Sequence, residues 1–405
     1  MELTSLSIVS TITFILVILT LVFAFTKSDE KVKYWSGLVI LLFLAIMLAW
    51  WSDDLALQWV FIEATTLIVA LLVSMSRTEK SIEVAWKFLL LNSFGLSLAF
   101  LGLIILSFGI HSQVTTNIND ILNQVSSHQT VLVETGMWLA IFGYSAKLGL
   151  FPNHFWVSDT YAESPSQISS IVSSLLPPAV CIALRPLVKM DYQFTSEHFS
   201  SSSGLLILGM LTMLYSLWTV FQTNDIRRIT AQIALFHSGG LAIFVFLNPP
   251  DTIFYFILAA NVTVKALLFS AMGIFRIDAG TRKLTDIKPD QGLNKMSTTL
   301  YVISVGMAFV IPFSPFFVMD MLFLKLGLQA TKYWIIAVPI FSLIFFLVVF
   351  NKILPVLNIE SRRLLPEYEK VLKIRMAFTI MILILSVCVG LYGIFLFANG
   401  GFTNV

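Results

Sequence analysis

The chain has 405 residues, of which 57% are hydrophobic and only 12% charged, and its mean hydropathy is +0.88. No soluble domain of this size needs so much apolar surface to fill a core, so the composition reads as a polytopic membrane protein. A net charge of +2, dispersed between apolar runs, offers nothing to nucleic acid, and the two cysteines, Cys181 and Cys388, give neither a disulfide framework nor a thiolate cluster for iron–sulfur or zinc.

Runs long enough to cross about 30 Å of hydrocarbon fall near 5–26, 34–52, 55–75, 88–110, 132–151, 166–188, 204–222, 230–247, 252–275, 297–330, 333–354 and 376–398. That predicts an all-α integral membrane fold of twelve helices. The first run follows a terminus with no lysine or arginine and lacks a small-residue cleavage site, so it reads as a retained helix and not a signal peptide. The fifth ends at Pro152. The tenth is too long for one straight span and contains Pro312 and Pro315, which predicts a break there. Ser164, Pro165 and Ser166 form a start signal for the sixth helix.

The basic residues test this division, because cytoplasmic loops hold the excess. One set of alternate connections carries Lys27, Lys31 and Lys33, then Arg77, Lys80 and Lys87, then Arg227 and Arg228. The same set goes on with Arg276, Arg282, Lys283, Lys288 and Lys295, and ends with Lys352, Arg362, Arg363, Lys370, Lys373 and Arg375. The other set carries Lys189 and Lys332. Both termini are therefore expected on the non-cytoplasmic side. Helix five, with Lys147 and its Pro152 break, is echoed five helices later by helix ten, with Asp320 beside Pro312 and Pro315. An odd offset reverses orientation, so helices two to six and seven to eleven read as two inverted five-helix repeats. The division is residues 1–33 as an N-terminal helix, 34–190 and 204–356 as the repeats, and 357–405 as a connecting loop and C-terminal helix.

Ionisable groups inside apolar runs cost about 2.5–3.5 kcal/mol each on insertion scales and are functional candidates by default. Glu63 stands in WVFIEATTLIVALLV and needs a partner from another helix, for which Lys147 is the natural choice. Such a pair is suited to gain and release protons. The alternative is a carboxylate tied to backbone and a lysine that snorkels. Lys265 lies near the middle of helix nine, His237 is central in helix eight, and Asp320 follows in helix ten, making a chain of titratable groups. His154, Asp159 and Glu163 sit at the polar mouth after Pro152, as a proton entrance or as the solvated part of a turn. Arg185 and Lys325 read as interface anchors. No phosphate loop, paired-histidine metal motif or nucleophile elbow stands out, so no catalytic centre, metal site or cofactor is expected.

Four segments carry a resemblance. Lys147 is followed by PNHFWVSDTYAESP, similar to a Pro-x-His-x-Trp-Leu-Pro-Asp-Ala-His-x-Glu/Gln-Ala-Pro run that follows a broken-helix lysine. DIRRITAQIALFHSGG, NVTVKALLF and FVMDMLFL match further motifs of the same group. Over helices two to eleven the chain resembles the antiporter-like, proton-translocating subunits of respiratory complex I, of membrane-bound hydrogenases of the hydrogenase-4 and formate hydrogenlyase type, and of Mrp-type cation/proton antiporters. The resemblance implies that Glu63 is the partner glutamate, Lys147 the first-half lysine, Lys265 the second-half lysine, His237 the motif histidine and Asp320 the exit residue. It also departs from the pattern. Pro177 and Pro178 stand where helix six often has a lysine or histidine, Asn261 replaces a histidine, and the chain reads as trimmed at both ends.

What the resemblance implies is a proton-translocating subunit of a larger, redox-driven complex, with no catalytic centre of its own. It would sit in a prokaryotic inner or cell membrane among other membrane and peripheral subunits. The alternatives are an ion-coupling subunit of an inorganic-carbon uptake complex, and a structural paralogue whose path is lost.

Overall fold

In a computed structural model the chain is described over residues 7–16, 18, 30–75, 77–110, 116–124, 131–193, 200–287, 292–329, 333–359 and 366–398. Most of the second half of the first expected span, Lys27, Lys288, Lys332, Arg362 and Arg363 lie outside these residues, as do the side chains of Lys31, Lys33 and Lys370. Among the described residues every regular element is helical. They are α1 (Ser7–Leu16), α2 (Glu30–Trp50), α3 (Leu55–Ser74), α4 (Glu79–Ile110), α5 (Ile118–Gln124), α6 (Val131–Leu148), α7 (Phe155–Glu163) and α8 (Ser166–Asp191). After these come α9 (Ser203–Gln222), α10 (Ile226–Phe246), α11 (Asp251–Ala279), α12 (Lys295–Phe309), α13 (Pro315–Gln329), α14 (Ala337–Leu357) and α15 (Pro366–Ala398). Eight of the described helices are long and apolar enough to cross a bilayer, which makes this an integral membrane protein.

Burial sorts the helices into an interior and a lipid-facing shell. The apolar windows of α8 and α10 are 94% buried and that of α11 89%, whereas α14 and α15 reach only 28%. Because lipid satisfies apolar side chains as well as protein does, the shell needs no polar face, and exposed Leu, Ile and Phe cover α2, α3, α4 and α14. The polar residues go inward instead. The serines of α8 and the His, Ser and Lys of α10 and α11 are buried.

Helix ends are set by short polar caps. Asp54 accepts from the amides of Ala56 and Leu57 to start α3, Asp225 from Arg227 and Arg228 to start α10, and Asn294 from Met296 and Ser297 to start α12. Two helices absent from the expected division are short ones. The seven-residue α5 is seated by Leu55 N–H donating to Thr116 O (2.9 Å) and Ile118 N–H to Asp53 O (2.9 Å), with Ile121 fully buried. The nine-residue α7 follows the Pro152 break, and neither is long enough to show in a search for spanning runs.

The two breaks are built alike. After α6 the backbone turns at Gly149, whose φ of +81° only glycine adopts freely. The freed groups are satisfied by Leu150 N–H to Ser145 O (3.0 Å), Phe151 N–H to the Thr212 hydroxyl (2.9 Å) and the Trp156 indole to Ala146 O (3.1 Å). After α12, Pro312 and Pro315 interrupt the ladder. Ile311 N–H returns to Gly306 O (3.1 Å), and the Ser314 hydroxyl donates to Met307 O while accepting from Phe316 N–H (3.2 Å). Irregular backbone at membrane depth is tolerated only when protein satisfies it in this way.

Candidate functional site

Lys147 is the last-turn lysine of α6, and α6 is set by an unusually close crossing with α4. A Cβ on Gly143 would lie 2.3 Å from Ala99 N, and one on Gly102 2.4 Å from Ala140 N, so the two backbones touch. The lysine is 1% exposed, its Nζ 5.1 Å from the centre of the Phe88 ring. It donates to the Thr66 hydroxyl at 2.7 Å. Thr66 lies one turn beyond Glu63 on α3, and its hydroxyl is 3.5 Å from the Glu63 carboxylate, whose other oxygen accepts from Ser93 of α4 at 2.7 Å. The direct Glu63–Lys147 pair expected from the sequence is thus replaced by a hydroxyl bridge. A residue three along from Glu63 shares its helix face, and from that face Thr66 meets Lys147 of α6 while Glu63 meets Ser93 of α4.

In the other half, Lys265 of α11 is 0% exposed and donates to the Ser238 hydroxyl of α10 at 3.3 Å. His237, next to that serine, is buried with its ring 3.9 Å from Phe316 and 5.1 Å from Phe309, and neither ring nitrogen has a hydrogen-bond partner among the described residues. The sequence places His237 and Lys265 on adjacent helices but cannot show that the imidazole packs against phenylalanines. Asp320, on α13 just past the second break, is half-buried.

The three entrance residues do not stay together. His154 and Asp159 line a cavity of about 780 Å³ with Tyr215, Asp225, Arg228 and Gln232. Asp159 pairs with Arg228 at 3.4 Å, His154 is buried against Tyr215 (3.8 Å between rings), and Gln232 donates to Ser158 at 3.3 Å. Glu163 lies elsewhere. It accepts a two-pronged bond from Arg282 (2.9 and 3.2 Å) and an ion pair from Lys80 (3.2 Å), with only 9% of its side chain exposed. Burial alone raises a carboxyl, but the hydrogen bonds of Arg282 and Lys80 outweigh it and hold Glu163 at about 2. A group held ionised in this way serves as a clamp, away from the lining of the cavity that His154 and Asp159 share. Arg282 also reaches Asp225 at 3.2 Å, so the clamp ties α7 to the connections before α10 and after α11.

Of the remaining membrane cations, Arg185 is no interface anchor. It is buried on α8, paired with Asp251, bonded to Pro249 O (3.0 Å) and seated 3.9 Å from the Phe254 ring. Lys325 is half-buried with its Nζ 5.7 Å from the Phe397 ring. The sequence reading missed Thr66, Ser93, Ser238, Gln232 and Arg282. Helical spacing from Glu63 was the one signal able to find any of them, and it points to Thr66.

The family model described as NADH:quinone oxidoreductase/Mrp antiporter, transmembrane, matches residues 52–346, a range that holds both lysines, both breaks and the cavity. The chain belongs to this family. Among curated family members, it is 26% identical over 272 residues to a hydrogenase-4 component F homolog of Methylacidiphilum infernorum, covering 64% of this chain and 56% of that protein. It is 23% identical over 291 residues to NADH-quinone oxidoreductase subunit N of Leptospira interrogans, covering 69% and 54%. The chain thus spans about half the length of the curated relatives it matches. Its fold is shared with a chain of the membrane-bound sulfane sulfur reductase, an archaeal respiratory membrane complex, at a TM-score of 0.77 and 18% identity, over 95% of this chain and 79% of that one.

Proposed function

We propose that this family member is the proton-translocating, antiporter-like subunit of a larger membrane complex, driven by a redox partner. The observation that carries the reading is the pair of fully buried lysines, Lys147 and Lys265, on separate helices, each donating to a hydroxyl and neither in a salt bridge among the described residues. A fully buried lysine whose direct partner is a neutral hydroxyl can exist with or without its proton, as a proton carrier must.

In this reading protons enter from the cytoplasmic side through the cavity lined by His154 and Asp159, which is walled by Arg228 and Lys283 of the basic connections. Lys147 exchanges with Glu63 through Thr66. Lys265 takes the proton next and Asp320 releases it beyond the second break. His237, ringed by Phe309 and Phe316, tunes the second half more than it relays. The similar construction of the breaks after α6 and α12 supports two inverted five-helix repeats, over 34–190 and 204–356, within twelve spans, with 1–33 and 357–405 flanking them. The basic connections favour both termini on the non-cytoplasmic face of a prokaryotic cell membrane.

The partners in this reading are the other membrane and peripheral subunits of the complex, as with the relatives named hydrogenase-4 component and quinone oxidoreductase subunit. Proton pumping by inverted membrane vesicles containing the intact complex tests it. Lys147→Ala and Lys265→Ala each abolish acidification if the reading holds, and undiminished pumping by either variant removes that residue from the path.

A further inference from the structure

The interior helix α8 contains Pro177 and Pro178 yet runs unbroken from Ser166 to Asp191. A proline has no N–H, so the carbonyls four residues earlier, those of Ser173 and Ser174, lose their helical donors. In a membrane interior such a carbonyl must find another. For Ser174 the structure supplies one from a different helix, since the side-chain amide of Asn261 on α11 donates to Ser174 O at 3.1 Å. Asn261 is 0% exposed. A second tie lies beside it, the Ser170 hydroxyl donating to Ala266 O at 3.0 Å.

Asn261 and Lys265 are four residues apart and so share one face of α11. The first reaches α8 and the second reaches Ser238 on α10. We infer that Asn261 is a positioning residue for Lys265. Its amide replaces the hydrogen bond that Pro178 removes from α8, and the resulting cross-link fixes α11 one turn before the lysine. The two departures noted in the sequence, proline in helix six and asparagine in helix nine, are in this view one device, in which each requires the other. Among the described residues, His237 on α10 and Cys181 on α8 lie within electrostatic reach of Lys265, and a shift of α11 against α8 changes the surroundings that Lys265 shares with them. The inference rests on the proposed role of Lys265 for its functional meaning, but not for its test.

The test uses the full chain in lipid nanodiscs, with thermal unfolding and the titration midpoint of the Lys265 amine by ¹⁵N NMR, assigned by the signal that Lys265→Met removes. Asn261→Leu is expected to lower the unfolding temperature and to move the midpoint by at least about half a pH unit. The double variant Asn261→Leu with Pro178→Ala restores an N–H to α8 but not the cross-link. Its unfolding temperature should return to the wild-type value while the midpoint stays displaced. If the double variant recovers both, Asn261 merely satisfies a carbonyl and the inference falls. It falls equally if Asn261→Leu leaves the midpoint in place. Should Asn261→Leu fail to fold, the double variant, whose helix is intact, carries the midpoint measurement alone. Pumping that survives Lys265→Ala would take Lys265 out of the proposed path and leave this readout unaffected.

Discussion

The Lys147 ammonium reaches the Glu63 carboxylate through one hydroxyl, that of Thr66, 2.7 Å from the amine and 3.5 Å from the acid. A bridge of this kind keeps two opposite charges from locking together, because the hydroxyl can donate to the acid while accepting from the amine. It is also a single point of failure.

Removing that hydroxyl is the first prediction. Thr66→Ala leaves the fully buried Lys147 without its acceptor, which should cost about 1–3 kcal/mol of stability and reduce pumping by the intact complex. Thr66→Ser, which keeps the oxygen, should retain most of both. Vesicle acidification alongside thermal unfolding makes the comparison, and equal pumping by all three proteins would take Thr66 out of the path.

Glu163 governs a response to acid. Its folded value of about 2 lies below its ordinary 4.5, so the clamp contributes stability that is complete above pH 4.5 and is lost as pH falls toward 2. Wild-type protein should therefore lose unfolding temperature across that window, and Glu163→Gln should lose less there. At pH 7 the variant should be less stable by about 1–3 kcal/mol, because Arg282 and Lys80 lose their shared carboxylate. Parallel acid-dependent slopes for the two proteins would contradict the clamp.

The α4–α6 crossing has no room for a side chain at Gly143, where a Cβ meets the Ala99 backbone nitrogen at 2.3 Å. Gly143→Ala should destabilise by about 1–3 kcal/mol despite the better helix propensity of alanine. It should also impair pumping, since Lys147 lies one turn further along the displaced helix. Gly37, around which nothing lies within 4 Å of the added carbon, is the control, and Gly37→Ala should be neutral in both assays.

Arg185 and Asp251 form a pair that joins α8 to the start of α11. Arg185→Leu should cost about 1–3 kcal/mol, since Pro249 O and the part-exposed Asp251 lose the guanidinium while Lys189 still reaches Asp251 at 3.5 Å. A compensating Asp251→Leu should recover part of that loss. Chemical denaturation of the single and double variants measures the coupling, and strictly additive losses would mean that the pair is not acting as a unit.

Much of the membrane architecture is legible in the chain because a bilayer asks a one-dimensional question. A stretch either has enough consecutive apolar residues to cross or it does not, and Pro152, Pro312 and Pro315 mark interruptions wherever they fall. The candidate residues were legible for the same reason, since Glu63, Lys147, His237, Lys265 and Asp320 are conspicuous in apolar surroundings. The short helices α5 and α7 were not, being held by contacts with Asp53, Thr116 and the Gly149 turn and not by their own length.

The amino-acid sequence by itself determined that this is a helical membrane protein with a few expensive charges inside it, because transfer into hydrocarbon depends on composition along the chain. Tertiary structure alone decided what those charges meet: Thr66 between Lys147 and Glu63, phenylalanines around His237, Arg282 on Glu163 and Asn261 on the carbonyl that Pro178 leaves open. Hydrogen bonds act over about 3 Å, and residues scores of positions apart come within that reach only when helices from distant parts of the chain pack side by side.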